Sequence, residues 1–210
     1  MTLKTIIKLI ENELLPNINL KSIKPNDPII VSNVPNQWKV LGSGNYAAVL
    51  YNSNFPYYAV KIYAENRPGI DKEIEVYNKL GYHPSYSQCF YHDKNYLILR
   101  RLDGITLYDA IVKGIQIPES VISDIDKALD YAITRNLYPH DVHFKNVMMK
   151  DGKGFVVDVS DFYKYEKCLL WAHSKKAYNK IYKNILYKLH PPIPNFILNI
   201  IRKIYQLYKR

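Results

Sequence analysis

Pro139-His140-Asp141-Val142-His143-Phe144-Lys145-Asn146-Val147 sets two histidines, an aspartate and an asparagine between apolar runs. An aspartate five positions before an asparagine, on a loop that leads into a strand, can set a general base beside a Mg²⁺ ligand. The plain alternative is a polar turn, which leaves that concentration of polar residues unexplained. Upstream, ESVISDIDKALDYAITRN (119–136) places Val121, Ile122, Ile125, Leu129, Ala132 and Ile133 on one face, so a core-facing helix delivers the chain to the loop. Downstream, GFVVDVSDF (154–162) reads as a strand with Asp158 at its apolar end, where a hard-cation ligand would be held rigidly and partly desolvated. Asp161, three positions on, is the weaker substitute, and a solvated strand-end carboxylate is the bland alternative.

Further upstream the chain changes character. Leu3 to Leu15 repeats apolar residues at helical spacing (Ile6, Ile7, Ile10, Leu14) and is expected to stop at Pro16. After a polar link, PIIVSN (28–33), QWKVLGSGNYAAVLYN (37–52) and YYAVKIYA (57–64) read as consecutive antiparallel strands, and NYLILRRL (95–102) as another. Between them PGIDKEIEVYNKLG (68–81) is bracketed by Pro68 and Gly81 as a helix of about three turns. The order is a β-rich half with one helix, then a mostly helical half, joined near Leu102 to Gly104. The expected class is therefore α+β in one domain, with a helix and link over 1–37, a sheet lobe over 38–102 and a reduced helical lobe over 103–210.

The β-rich half holds two further signals. Leu41-Gly42-Ser43-Gly44-Asn45-Tyr46-Ala47-Ala48-Val49 lies between two strands, and its glycines would let backbone N–H groups approach phosphate oxygens without an intervening Cβ. Alone this is also an ordinary small-residue hairpin. In Ala59-Val60-Lys61-Ile62 a lysine stands inside an apolar strand. Burying its ammonium unpaired would cost several kcal/mol, roughly, so it either faces solvent from an edge or needs an anion. Glu73 and Glu75 on the following helix are the candidates.

In chain order, Gly42-x-Gly44-x-x-Ala47-x-Val49, Val60-Lys61, Glu73, Asp141 with Asn146, and Asp158 resemble the signature set of the protein-kinase-like superfamily, over about residues 38–162. The resemblance implies a bilobal fold and binding of ATP with Mg²⁺. Gly42, Ser43, Gly44 and Val49 would then cover the phosphates, and Lys61 held by Glu73 would orient them. Leu99 falls at the gatekeeper position, with backbone groups of Arg100 to Leu102, Arg101 and Leu102 among them, offered to adenine. Asn146 and Asp158 would hold the metal, and Asp141 would be the catalytic base toward a hydroxyl-bearing acceptor, expected to be a protein. Glu73-Ile74-Glu75-Val76-Tyr77-Asn78-Lys79-Leu80, soon followed by His83-Pro84, resembles the family helix whose glutamate pairs with the strand lysine, and that likeness selects Glu73 over Glu75.

Departures from the pattern narrow the likeness. Pro139 and His140 stand where the family has His-Arg, which argues against switching by loop phosphorylation. His143 is similar to the Asp-x-His-x-x-Asn form of aminoglycoside and choline phosphotransferases; it would contact phosphate, brace the loop, or fill the lysine position of protein kinases. Val159-Ser160 follows Asp158 in place of Phe-Gly, and the short remainder resembles minimal bacterial serine/threonine kinase-like proteins and the atypical RIO group. Two other function classes stay open: a nucleotide-binding pseudokinase acting as a binding module, and a small-molecule phosphotransferase, which the single acid after residue 161 disfavours.

Composition sets the outer bounds. Cys89 and Cys168 have no metal-ligand spacing and suit a reducing cytoplasm and core packing. The opening segment carries Glu11 and Glu13 within its apolar pattern, unlike a signal peptide, and no run reaches the roughly 18 uncharged apolar residues of a membrane span. The net charge of +10 lies wholly in residues 162–210, with eleven Lys or Arg against Glu166. There Phe196, Ile197, Ile200, Ile201, Ile204, Leu207 and Tyr208 recur at helical spacing beside Arg202, Lys203, Lys209 and Arg210. Such a helix either lies on an anionic membrane surface or closes the reduced lobe, leaving a basic face for an acidic partner. Pro191, Pro192 and Pro194 favour the second by turning it back over its predecessor, and nucleic acid, resting on charge alone, is the weakest partner.

Overall fold

The computed structural model describes residues 2–24 and 27–208, with side chains in the last helix described through Ile200 and at Lys203. The chain divides into two compact units, Met1–His83 with Ser87–Leu102, and Pro84–Tyr86 with Asp103–Arg210. The architecture is α+β, an antiparallel sheet first and helices later, in keeping with a small kinase-like bilobal fold.

In the first unit, α1 (Leu3–Leu9) runs through a wider π-helical turn (Ile10–Leu14) into the one-turn α2 (Leu15–Asn17). The helical path thus passes Pro16, where the sequence predicts a stop; proline lacks an N–H for the turn before it, and the widened turn lies immediately upstream. Next, β1 (Asn19–Lys21) and β2 (Ile30–Ser32) form a separate antiparallel ribbon. The expected strand at 28–33 therefore does not join the main sheet. That sheet is built from β3 (Trp38–Ser43), β4 (Ala47–Asn52), β5 (Tyr58–Tyr63), then after α3 (Ile70–Leu80), β6 (Cys89–His92) and β7 (Tyr96–Arg100), in the order β3-β4-β5-β7-β6.

Strand side chains alternate between faces, and this sheet buries both. One face gives Ala48, Leu50, Val60, Ile62, Tyr96 and Ile98 to a core shared with Ile6, Ile10, Leu14, Trp38 and Phe55. The opening helix is therefore part of the sheet's packing. The opposite parity carries Val49, Lys61 and Leu97, cross-strand neighbours in register. α3 presents Glu73, Val76, Tyr77 and Leu80 as its buried residues.

The second unit contains β8 (Ile105–Thr106), α4 (Leu107–Lys113), α5 (Glu119–Thr134), β9 (Val147–Lys150), β10 (Lys153–Val156), α6 (Leu170–Ala177) with a π-helical continuation (Tyr178–Leu186), and α7 (Asn195–Tyr208). The strands form an antiparallel sheet ordered β10-β9-β8. Thr106 caps α4 by accepting the Asp109 N–H at 3.0 Å. α5 buries Val121, Ile122, Ile125, Ala128, Leu129 and Ala132, while Ile133, expected on that face, is exposed one residue from the helix end. Gly154 is what lets α5 lie on β10: a Cβ there would come within 2.5 Å of the Val121 carbonyl oxygen. The expected late strand ends at Val156, so Asp158 lies in the irregular segment beyond it.

The closing segments are fastened to the α4–α5 connection. Tyr178 Oη donates to the Ile117 carbonyl at 2.9 Å and Tyr182 Oη accepts the Ile117 N–H at 2.9 Å. The proline turn lies against Gly114, and the Ile193 N–H donates to the Ile111 carbonyl at 3.1 Å. The expected burial of α7's apolar stripe is not found where side chains are described: Phe196, Ile197 and Ile200 are 64, 38 and 52% exposed. The prolines dock on α4. The side chains of Ile201, Arg202, Ile204, Leu207 and Tyr208, and all of Lys209 and Arg210, lie outside the described residues. Among the described residues no helix is long and apolar enough to cross a membrane.

Candidate functional site

Lys61 lies in β5 on the face away from α1, so its stem cannot turn outward as an edge lysine would. Its Nζ meets Glu73 Oε1 at 2.8 Å and Oε2 at 2.7 Å. Side-chain exposure is 11% for Lys61 and 1% for Glu73, which makes this a largely desolvated pair whose partners hold each other in place. Tyr63, two positions along the same face, donates its hydroxyl to Glu73 Oε2 in a short hydrogen bond. Sequence reasoning missed Tyr63, although its parity with Lys61 was the available signal. Glu75 is exposed and pairs with Lys72 at 3.2 Å.

The glycine-bearing turn joins β3 to β4, with a register shift between Val40 and Gly42. The Gly44 N–H donates to the Ala47 carbonyl at 2.9 Å, and the Ile29 N–H to the Gly44 carbonyl at 2.9 Å. Ser43 Oγ is spent on the Ile29 carbonyl. Neither Gly42 nor Gly44 adopts a positive φ, and a Cβ on Gly42 would meet nothing within 4 Å. No atom of the described residues would obstruct a side chain at 42. Val49 faces Lys61 across the β4–β5 ladder.

Leu99 is buried in β7 between Ala59 and Cys89. Of the expected adenine-facing amides, the Arg100 N–H is given to the Gln88 carbonyl and the Arg101 N–H to the Tyr57 carbonyl, each at 2.8 Å. The strand pairing extends past Arg100 and takes both. The Leu102 N–H makes no hydrogen bond among the described residues.

In the second unit the loop after α5 holds Asp141 at φ +56°, a left-handed conformation that aspartate tolerates better than most residues but that still strains the backbone. Asn146 locks it: Nδ2 donates to the Asp141 carbonyl at 3.0 Å and to its Oδ2 at 3.3 Å, and the Asn146 N–H reaches the His143 carbonyl at 2.8 Å. The Val157 N–H donates to the Asn146 carbonyl at 3.1 Å, tying this loop to the segment carrying Asp158. Asp158 Oδ1 accepts the Ser160 N–H at 3.1 Å. Asp161 is occupied elsewhere, with Lys164 at 2.8 Å and His140 Nδ1 at 3.9 Å.

Burial raises the Asp141 carboxyl above its ordinary range; the His143 imidazole opposes that rise and the nearby Asp158 and Asp161 carboxylates add to it. Burial lowers the His143 imidazole, against the pull of Asp141. His143 Nδ1 accepts the Lys145 N–H at 3.2 Å, so the neutral ring carries its proton on Nε2, 3.6 Å from Asp141 Oδ1. The sign of the resulting pH dependence follows. A histidine depressed in the folded chain contributes stability above its unfolded value, near 6.5, that is lost as pH falls through the folded value. His143→Gln is therefore expected to flatten the fall in melting temperature between neutral and mildly acid pH. An unchanged slope would show that the imidazole is equally easy to charge in both states.

The donor set suits Mg²⁺. It offers the Asn146 Oδ1, left free by the Nδ2 bonds, and the Asp158 carboxylate, two hard oxygens of the kind a Mg²⁺ ion takes alongside water and phosphate. Among the described residues no cluster of three or more His, Cys, Asp or Glu forms a dedicated metal cage.

No family model matches the chain. It is 30% identical over 136 residues to YrzF of Bacillus subtilis (strain 168), which carries the provisional name of a serine/threonine-protein kinase, covering 64% of this chain and 62% of that protein. It is 28% identical over 155 residues to the human serine/threonine-protein kinase DCLK3, covering 64% of this chain and 24% of that protein. The mouse DCLK3 matches at 28% over 143 residues, 59% of this chain and 18% of the relative. The chain spans less than two thirds of each relative. At this modest identity, the relatives support a protein-kinase-like superfamily and phosphotransfer in general.

Proposed function

We propose that the chain is an ATP- and Mg²⁺-dependent phosphotransferase of the serine/threonine protein-kinase type, moving the γ-phosphate of ATP to a hydroxyl, with a protein as the acceptor class. The observation that carries this reading is the desolvated Lys61–Glu73 pair: an ammonium held at fixed height inside a sheet, beyond what the fold itself asks of that strand. In this reading the turn at Gly42 to Val49 lies over the phosphates, its missing Cβ at 42 leaving room for them. Lys61 orients phosphate oxygens, and Glu73 and Tyr63 keep it from collapsing into the sheet. Leu99 shapes the adenine end, where Leu102 supplies the unengaged amide. Asn146 and Asp158 would hold Mg²⁺, which would supply neutralisation of the phosphates' negative charge. Asp141 accepts or orients the acceptor's hydroxyl proton, for which a raised carboxyl is apt. His143 braces the loop through the Lys145 amide and sets its Nε2–H beside Asp141. A cytoplasmic setting belongs to the same proposal.

Positioning is most of what phosphoryl transfer requires of a protein, so nucleotide binding is the first thing to measure. Saturating ATP with Mg²⁺ is expected to raise the melting temperature, a ligand at one hundred times its dissociation constant adding about 2.7 kcal/mol. Lys61→Ala and Asp158→Asn should each shrink that shift. No shift in the parent protein, with or without Mg²⁺, would remove the nucleotide from the reading.

A further inference from the structure

We propose that the closing part of the second unit is a docking surface for an anionic lipid bilayer. Ile181, Ile185 and Leu189 are exposed on and just after the π-helical segment, and Phe196, Ile197 and Ile200 on α7. They stand in a stretch, 162–210, with eleven basic residues and one acid, of which Lys164, Lys175 and Lys183 pair with Asp161, Asp126 and Glu119 of the same unit. Large apolar side chains in water interleaved with lysines fit one environment better than others. A bilayer surface takes apolar groups into its headgroup boundary while its anionic lipids attract the cations. An acidic protein would satisfy the charge and leave the exposed isoleucines without a purpose. A second copy would bring two such basic surfaces together against their repulsion. The start of α7 is itself fixed, Asn195 Oδ1 accepting the Tyr108 hydroxyl at 3.1 Å, so the helix leaves the unit from a defined point. The surface lies in the same chain as the phosphotransfer residues but does not depend on them.

The test is sedimentation of the full chain with vesicles of phosphatidylglycerol and phosphatidylcholine, against vesicles of phosphatidylcholine alone. Binding to the first and not the second, reversed by high salt, is expected. Phe196→Asp and Ile200→Asp should each cut the bound fraction roughly tenfold or more, and Lys203→Glu by a similar factor, all with the parent's melting temperature. Absence of binding, or binding indifferent to lipid charge, overturns the proposal. Loss of binding with a lowered melting temperature in both aspartate variants also overturns it, by showing that the stripe packs on the domain. Retention on heparin at unchanged affinity in those variants, without vesicle binding, would reveal attraction by charge alone and do the same.

Discussion

Asp141→Asn is expected to lower phosphoryl transfer by roughly 10²–10⁴-fold, the usual contribution of a positioned acid–base group, while leaving the nucleotide-induced rise in melting temperature in place. The substitution is nearly silent for the fold. Asparagine accepts the left-handed backbone found at φ +56° as readily as aspartate does. The bond from Asn146 Nδ2 to the main-chain carbonyl at 3.0 Å does not involve the side chain being changed. What is lost is the carboxylate proposed to take up the proton. Transfer of label from γ-labelled ATP to an acceptor protein, or to the chain itself, measures it. A variant as active as the parent would move the base elsewhere, and a parent that shifts with nucleotide but transfers nothing would make this chain a binding module.

The second large effect is on stability. Glu73→Gln is expected to destabilise the protein by about 3–5 kcal/mol, the range found when one partner of a buried ion pair is removed. The carboxylate that Lys61 and Tyr63 share would become a neutral amide in a place that is 1% exposed. Glu75→Gln, on the solvent side of the same helix, should change stability by no more than about 0.5 kcal/mol. Urea midpoints of the two variants make the comparison, and equal effects would contradict the geometry. Where the Glu73 variant does not fold, the pair Lys61→Met with Glu73→Leu should recover stability while abolishing the nucleotide shift, since apolar replacements remove both charges together.

What the sequence made legible follows from how much each element depends on distant contacts. α3 was bracketed by Pro68 and Gly81, and α5 by its apolar repeat, because helices carry their period locally. Lys61 demanded an anion because burial of a bare ammonium is prohibitive, and the likeness to the kinase helix singled out Glu73. β1, β6 and β8, of three, four and two residues, carry no period long enough to read and exist through pairing alone. In β6 the register shift between Cys89 and Tyr91 also breaks the alternation that would have marked it. The engagement of the Arg100 and Arg101 amides was equally hidden, since it depends on where Gln88 and Tyr57 come to rest. The tail misled for a related reason: an amphipathic period says that a helix has an apolar side, not what covers it.

The two-sided burial of the first sheet makes its function a matter of odd and even. Odd positions of β5, Lys61 and Tyr63, meet Glu73, whereas even positions, Val60 and Ile62, share a core with Ile6, Ile10 and Leu14. Inserting one residue ahead of Lys61 within that strand would exchange the two sets, sending an ammonium into hydrocarbon and an isoleucine or valine to the glutamate. Inserting two would restore both. Length variation inside this strand is thus tolerable only in pairs, while the Ser53–Tyr57 turn before it can change length freely so long as the ladder downstream keeps its register.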